Sequence, residues 1–197
     1  MSTSDGQARG GGGPETVLAF DTSAAHCAAA LVRGDTVLAH RHEDMTRGQA
    51  ERLFPLIETV LDDARLSLAE IGALAVGTGP GNFTGLRIAV AAARGLALAL
   101  GRPALGIPNL EALAFGLPCP VLTALAAPRG QVYVQRFGAA PMGPAMLDPE
   151  ALGPDWAVPG LSVAGHDSAA LAARLGATER APASPAIAIA LTAAGRL

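Results

Sequence analysis

Residues 73–100 read ALAVGTGPGNFTGLRIAVAAARGLALAL, and no other stretch constrains the fold as strongly. The apolar run Ala73 to Val76 predicts a short buried strand. The glycine-rich loop GTGPGNFTGLR follows at 77–87, and a helix is expected from about Thr84 to Leu100, stopped by Gly101. Leu, Ile, Val, Ala and Gly point in nearly every direction around that helix. Only Arg87 and Arg94, on one edge, interrupt them. A helix apolar almost all round needs cover on more than one side. Strand, tight loop and buried helix in succession predict an α/β fold.

The loop has the setting of a phosphate cradle, since a strand enters it and a helix N-terminus leaves it. Its letters do not fit one. A Walker loop needs Gly-Lys-Ser/Thr at the helix start, where Gly85-Leu86-Arg87 stands. A dinucleotide loop needs a third glycine three residues after the second, where Asn82 stands. The glycines read better as structural. Gly77, Gly79 and Gly81 turn the chain tightly, Pro80 stiffens the turn, and Asn82 or Thr84 caps the helix. Phe83 is a candidate plug for the gap beside the loop.

Ahead of this unit, TVLAFD, AHCAAALVR and TVLAHRHE read as three strands, the last two joined by the hairpin signal Gly34-Asp35. A helix is expected over about 49–65, bent or delayed at its start by Pro55. Leu53, Phe54, Leu56, Ile57, Val60 and Leu61 give it an apolar arc wider than one buried face needs. After the strand ALGI, Asn109 is expected to cap a short helix. Strand patterns restart at 121–126 and 131–137, separated by Pro128-Arg129-Gly130, and echo the opening. A Pro/Gly-rich stretch, the strand LSVAGH and helices near 168–175 and 185–196 complete the chain. The organisation expected is a disordered tail over 1–14, an N-terminal lobe over 15–112 and a shortened C-terminal lobe over 113–197.

Charged residues make up 16% of the chain, below the ~25% usual for a soluble domain. Part of its surface is therefore expected to be shared with a partner. A net charge of −3 makes the chain alone a poor nucleic-acid platform. Cys27 and Cys119 read as buried small hydrophobes in a reducing compartment. No leader-like apolar segment is visible near the start. The apolar run from Ile88 to Leu100, broken by Arg94, looks too short to span a bilayer. A cytoplasmic protein without a membrane role is expected.

Asp21, Thr22 and Ser23 end the first strand. A carboxylate and two hydroxyls there could hold a metal–phosphate group, or could simply satisfy a turn. His40 and His42 share one face of a strand, but no H-x-x-x-H or H-E-x-x-H pair is present, so no metal site is assigned. No G-x-S-x-G elbow appears either.

Four segments together carry a family resemblance: LAFDTSAAHCAAAL, GQAERLFPLIETVL, GTGPGNFTGLRIAVAAARGLALAL and LGIPNLEALA. They resemble the bacterial TsaB family, also called YeaZ, over about residues 16–137. The resemblance implies an actin-like ATPase fold, as in sugar kinases and Hsp70, with two lobes on related sheets. It implies a non-catalytic dimerisation subunit that supports the paralogue TsaD, together with the ATPase TsaE, in making N6-threonylcarbamoyladenosine at position 37 of tRNA. Contact with tRNA would come only through the complex. No cofactor of its own is implied, although ATP or ADP could sit at the complex junction. The implied interface, for TsaD or for a second copy, lies on the two apolar helices at Leu53, Phe54, Phe83, Arg87, Val90 and Arg94. Asp21, Thr22 and Ser23 would then be a vestigial nucleotide site. The chain departs from the family where Gln49-Ala50-Glu51 replaces His-Ser-Glu, and where Ala126 and Gln131 replace two acids of the second lobe. The alternative is an ATP-binding kinase-like, or metallopeptidase-like, enzyme of the same superfold.

Overall fold

Two five-stranded mixed sheets of one plan form the chain in a computed structural model, which describes residues 15–197. The expected disordered tail lies outside the described residues. The first sheet takes β1 (Thr16–Asp21), β2 (His26–Arg33), β3 (Thr36–Asp44), β4 (Ala73–Gly77) and β5 (Ala104–Ile107) in the order β3-β2-β1-β4-β5. The second takes β6 (Val121–Ala126), β7 (Val132–Phe137), β8 (Met142–Leu147), β9 (Ser162–Gly165) and β10 (Thr178–Arg180) in the order β8-β7-β6-β9-β10. In each, the first three strands pair antiparallel as a meander, and the fourth and fifth add parallel on the other side of the first. This is the duplicated plan of the actin-like ATPase fold.

Side-chain alternation along β1 sets what lies on each face. Leu18 and Phe20 pack under α1 (Gln49–Ala64) and α2 (Phe83–Leu100). Val17 and Ala19 pack under α5 (Pro185–Ala194). Pro55 neither delays nor ends α1. The amide of Arg52 already bonds the Gly48 carbonyl at 3.0 Å, and the proline ring sits on the exposed side. Two ion pairs lash the edge strand to that helix. Arg52 takes Glu43 with two bonds of 2.6 and 2.7 Å, and Arg41 meets Asp63 at 2.5 Å. The Arg52 hydrogen bond holds the Glu43 carboxyl below its ordinary range.

The terminal helix of each half packs on the other half's sheet. α3 (Asn109–Ala114) lies on the second sheet, where the Thr123 hydroxyl donates to the Leu110 carbonyl at 2.9 Å. α5 returns to the first sheet, and Ala186, Ile189, Ala190 and Ala193 complete its core. The sequence division that assigns 113–197 to the smaller lobe therefore misplaces α5. An alanine-rich helix buried on several sides carries no mark of which sheet it covers. The shortening of the second lobe lies between β8 and β9. A helix corresponds to α1 in the first half, but here two 3-10 turns, Pro149–Ala151 and Pro154–Trp156, press Leu152 and Trp156 into the core. β8 and β10 were not anticipated. β8 contains Gly143 and Pro144, which an edge strand tolerates, and β10 is only 3 residues long.

Candidate functional site

The loop of residues 77–87 wraps the end of β1, and its glycines serve close approach. A side chain on Gly85 would overlap the Thr22 carbonyl, and the Thr22 hydroxyl donates to the Gly85 carbonyl at 2.7 Å. A side chain on Gly77 would strike Asp21 Oδ1 and Asn109 Oδ1. Gly79, at φ 97°, precedes a cis bond to Pro80, and Gly81 lies against the Ser23 backbone. Asn82, not Thr84, caps α2: its Oδ1 accepts from the amides of Thr84 and Gly85 at 2.9 and 3.2 Å. Phe83 plugs nothing. It is 65% exposed, and the Arg87 guanidinium lies 4.1 Å over its ring.

Asp21, Thr22 and Ser23 are all buried. Ser23 Oγ donates to Asp21 Oδ2 at 2.8 Å, and His26 Nε2 donates to the same oxygen at 2.7 Å. Asn109 donates to Ser23 Oγ at 2.6 Å and to the Pro80 carbonyl at 3.3 Å. It sits at the first position of α3, with Pro108 as the cap residue, so the expected capping role is replaced by a clasp on the β1 turn. Asp21 Oδ1 and Asn109 Oδ1 stay buried without a hydrogen-bond partner among the described residues. The sequence marks Asn109 only as a helix cap and His26 only as a polar residue at the start of an apolar strand. His42, on the face shared with His40, reaches the His26 ring with centroids 4.9 Å apart.

Between the two sheets opens a cleft of about 400 Å³. Its polar lining is Ser23, Thr46, Gln49, Asn82 and Tyr133, and Pro80, Leu125 and Pro128 form apolar walls. Asp21 and Thr22 do not line it. Asp21 faces a separate cavity of about 40 Å³ under α5. Of the three residues read as a vestigial nucleotide site, Ser23 alone reaches the cleft.

The second feature is a helix face without cover. Only Gly85, Ala89 and Ala93 of α2 are buried. Arg87, Ala91, Arg94, Gly95 and Leu98 lie open along the opposite side, Leu98 at 86% exposure. Phe54 of α1 is 48% exposed. Leu53, read as an interface residue, is instead fully buried in the first core, because one helical step turns it 100° from Phe54. Val90 is half-buried against the same core. Counted from Phe83, α2 is 18 residues long and apolar enough to cross a membrane by length and composition, longer than the run from Ile88 suggested. Cys27 is buried as expected, whereas Cys119 is exposed.

Residues 37–146 match the family described as TsaD, tRNA N6-adenosine threonylcarbamoyltransferase. The solved structure of YeaZ from Pseudomonas aeruginosa superposes with a TM-score of 0.74 at 31% identity, covering 92% of this chain and 91% of that one. This chain belongs to the TsaB (YeaZ) family. The Escherichia coli protein named tRNA threonylcarbamoyladenosine biosynthesis protein TsaB is 39% identical over 122 residues, 59% of this chain. That match spans about half of the E. coli relative, 52% of its length. Component A of the Acidaminococcus fermentans (R)-2-hydroxyglutaryl-CoA dehydratase shares the fold, with a TM-score of 0.61 at 11% identity over 92% of this TsaB-family chain and 98% of the other.

Proposed function

We propose that this chain is a non-catalytic subunit of the assembly that forms N6-threonylcarbamoyladenosine at position 37 of tRNA, and that it docks a TsaD-type transferase through α1 and α2. The carrying observation is the open side of α2, where Ala91, Gly95 and Leu98 form an apolar strip beside Arg87 and Arg94, together with the exposed Phe54 of α1. An isolated chain gains nothing by presenting such a strip to water, whereas an interface core of apolar and small residues needs one. The same face serves a homodimer when the partner is absent. A TsaE-type ATPase joins the assembly, ATP or ADP belongs at the junction with the partner, and tRNA is met through the complex in the cytoplasm.

The β1 turn supports a role without chemistry of its own. Ser23 Oγ and His26 Nε2 both meet one oxygen of Asp21, so His26 Nε2 is turned to the carboxylate and not to the serine. Asp21 lines the small cavity under α5 and not the cleft. Mass spectrometry of tRNA from depleted cells tests the reading. The modified nucleoside should fall with the protein and return with the wild-type chain. Unchanged levels would place the chain in another process, and turnover of Mg²⁺–ATP by the isolated chain would favour the kinase-like alternative.

A further inference from the structure

The outer sides of α1 and α2 carry opposite charges at the same spacing. On α2, Arg94 and Leu98 stand seven and eleven residues after Arg87. On α1, Glu58 and Asp62 stand seven and eleven residues after Glu51. Steps of seven and eleven residues return to within about 20° of one direction on a helix, so each set forms a single row. Both rows are exposed, and each lies opposite its helix's buried side, Leu53 to Val60 on α1 and Gly85, Ala89 and Ala93 on α2.

The division is strict around α2. No aspartate or glutamate occurs from Ile71 to Leu110, although the chain as a whole carries −3. The rows are not neutralised within the chain either. Among the described residues, Glu51, Glu58, Asp62, Arg87 and Arg94 enter no ion pair, while Arg41 takes Asp63 and Arg52 takes Glu43 close by. Arg87 lies 4.1 Å over the Phe83 ring, a contact that holds the guanidinium at the surface without a carboxylate. A partner that covers this face takes both rows out of water. A charge buried without its counterpart is costly, so the covering surface has to repeat the division with the signs reversed.

We propose that Arg87 and Arg94 select the partner by charge: the TsaD-type subunit sets a helix with carboxylates one heptad apart against α2, and a cationic edge against the Glu51, Glu58 and Asp62 row of α1. The inference rests on docking through this face and adds its polarity. Two rows of opposite sign admit one orientation, because exchanging the partner's two edges would oppose like charges. A second copy of the chain meets the rule only with α2 of each copy on α1 of the other. Association kinetics of the full chain with a TsaD-type partner, at about 50 and 500 mM salt, test it. Wild type should associate at least about tenfold faster at the lower salt. Arg94→Glu should slow association at low salt about tenfold and lose most of the salt dependence, while Arg94→Lys stays within about twofold of wild type, all three melting alike. Among single Asp/Glu→Lys changes on the partner's docking helix, at least one should restore binding to Arg94→Glu. Salt-indifferent association, with binding still lost in Leu98→Glu, would overturn the charge rule and leave docking standing. Wild-type binding by both Leu98→Glu and Arg94→Glu would overturn docking as well. Loss of self-association alone in Arg94→Glu, with partner binding unchanged, would assign the rows to a homodimer and overturn the proposal.

Discussion

A β-carbon at position 85 has nowhere to go, because the Thr22 carbonyl occupies its place against the first turn of α2. Backbone cannot rotate aside as a side chain can, so Gly85→Ala should destabilise the chain by about 1–3 kcal/mol or more in denaturant unfolding. Alanine is the better helix former, and a gain in stability would contradict this packing. Leu53 and Phe54 give a second contrast. Leu53→Ala should cost about 2–5 kcal/mol as a core cavity, while Phe54→Ala should stay within about 0.5 kcal/mol in the isolated chain. The cysteines differ in the same way. Burial, with smaller contributions from the charges of Glu43 and Asp21, pushes the Cys27 thiol up to about 11. A thiol raised in the folded state stabilises fully below its ordinary value of 9.0, and that contribution fades as pH climbs towards about 11. Iodoacetamide at pH 8 should modify exposed Cys119 and spare Cys27 until the chain unfolds.

At the scale of elements, the strand–loop–helix unit at 73–100 was readable because apolar period, glycine and helix cap agree there. The wide apolar arcs of α1 and α2 were readable too. Which residues of those arcs face the sheet is not legible in the sequence, and the structure buries Leu53 while leaving Leu98 open. Composition is nearly uniform around α2, and only the sheet decides which side is spent. Asn109 was hidden for a related reason. It clasps Ser23 from 86 residues away, and local capping rules describe only neighbours in sequence. β8 and β10 escaped because edge strands need few of the residues that mark a central strand.

Over the whole molecule, the two halves share one strand order and exchange their last helices. The first repeat was legible from its echo in the second, but the exchange was not, since α5 is alanine-rich on every side. Ile189→Ala in α5 should therefore raise amide exchange across β1 and β2 in the first sheet, more than across β6 and β7. Neither half covers the outer side of α1 and α2, and the central proposal is that a partner does. Leu98→Glu offers the most direct measurement, because a side chain 86% exposed can change without disturbing the fold. Titrated against a TsaD-type partner, the variant should melt like wild type and bind at least about tenfold more weakly, as for a residue at an interface core. Wild-type affinity for the partner in Leu98→Glu would show that the open face of α2 is not the docking surface.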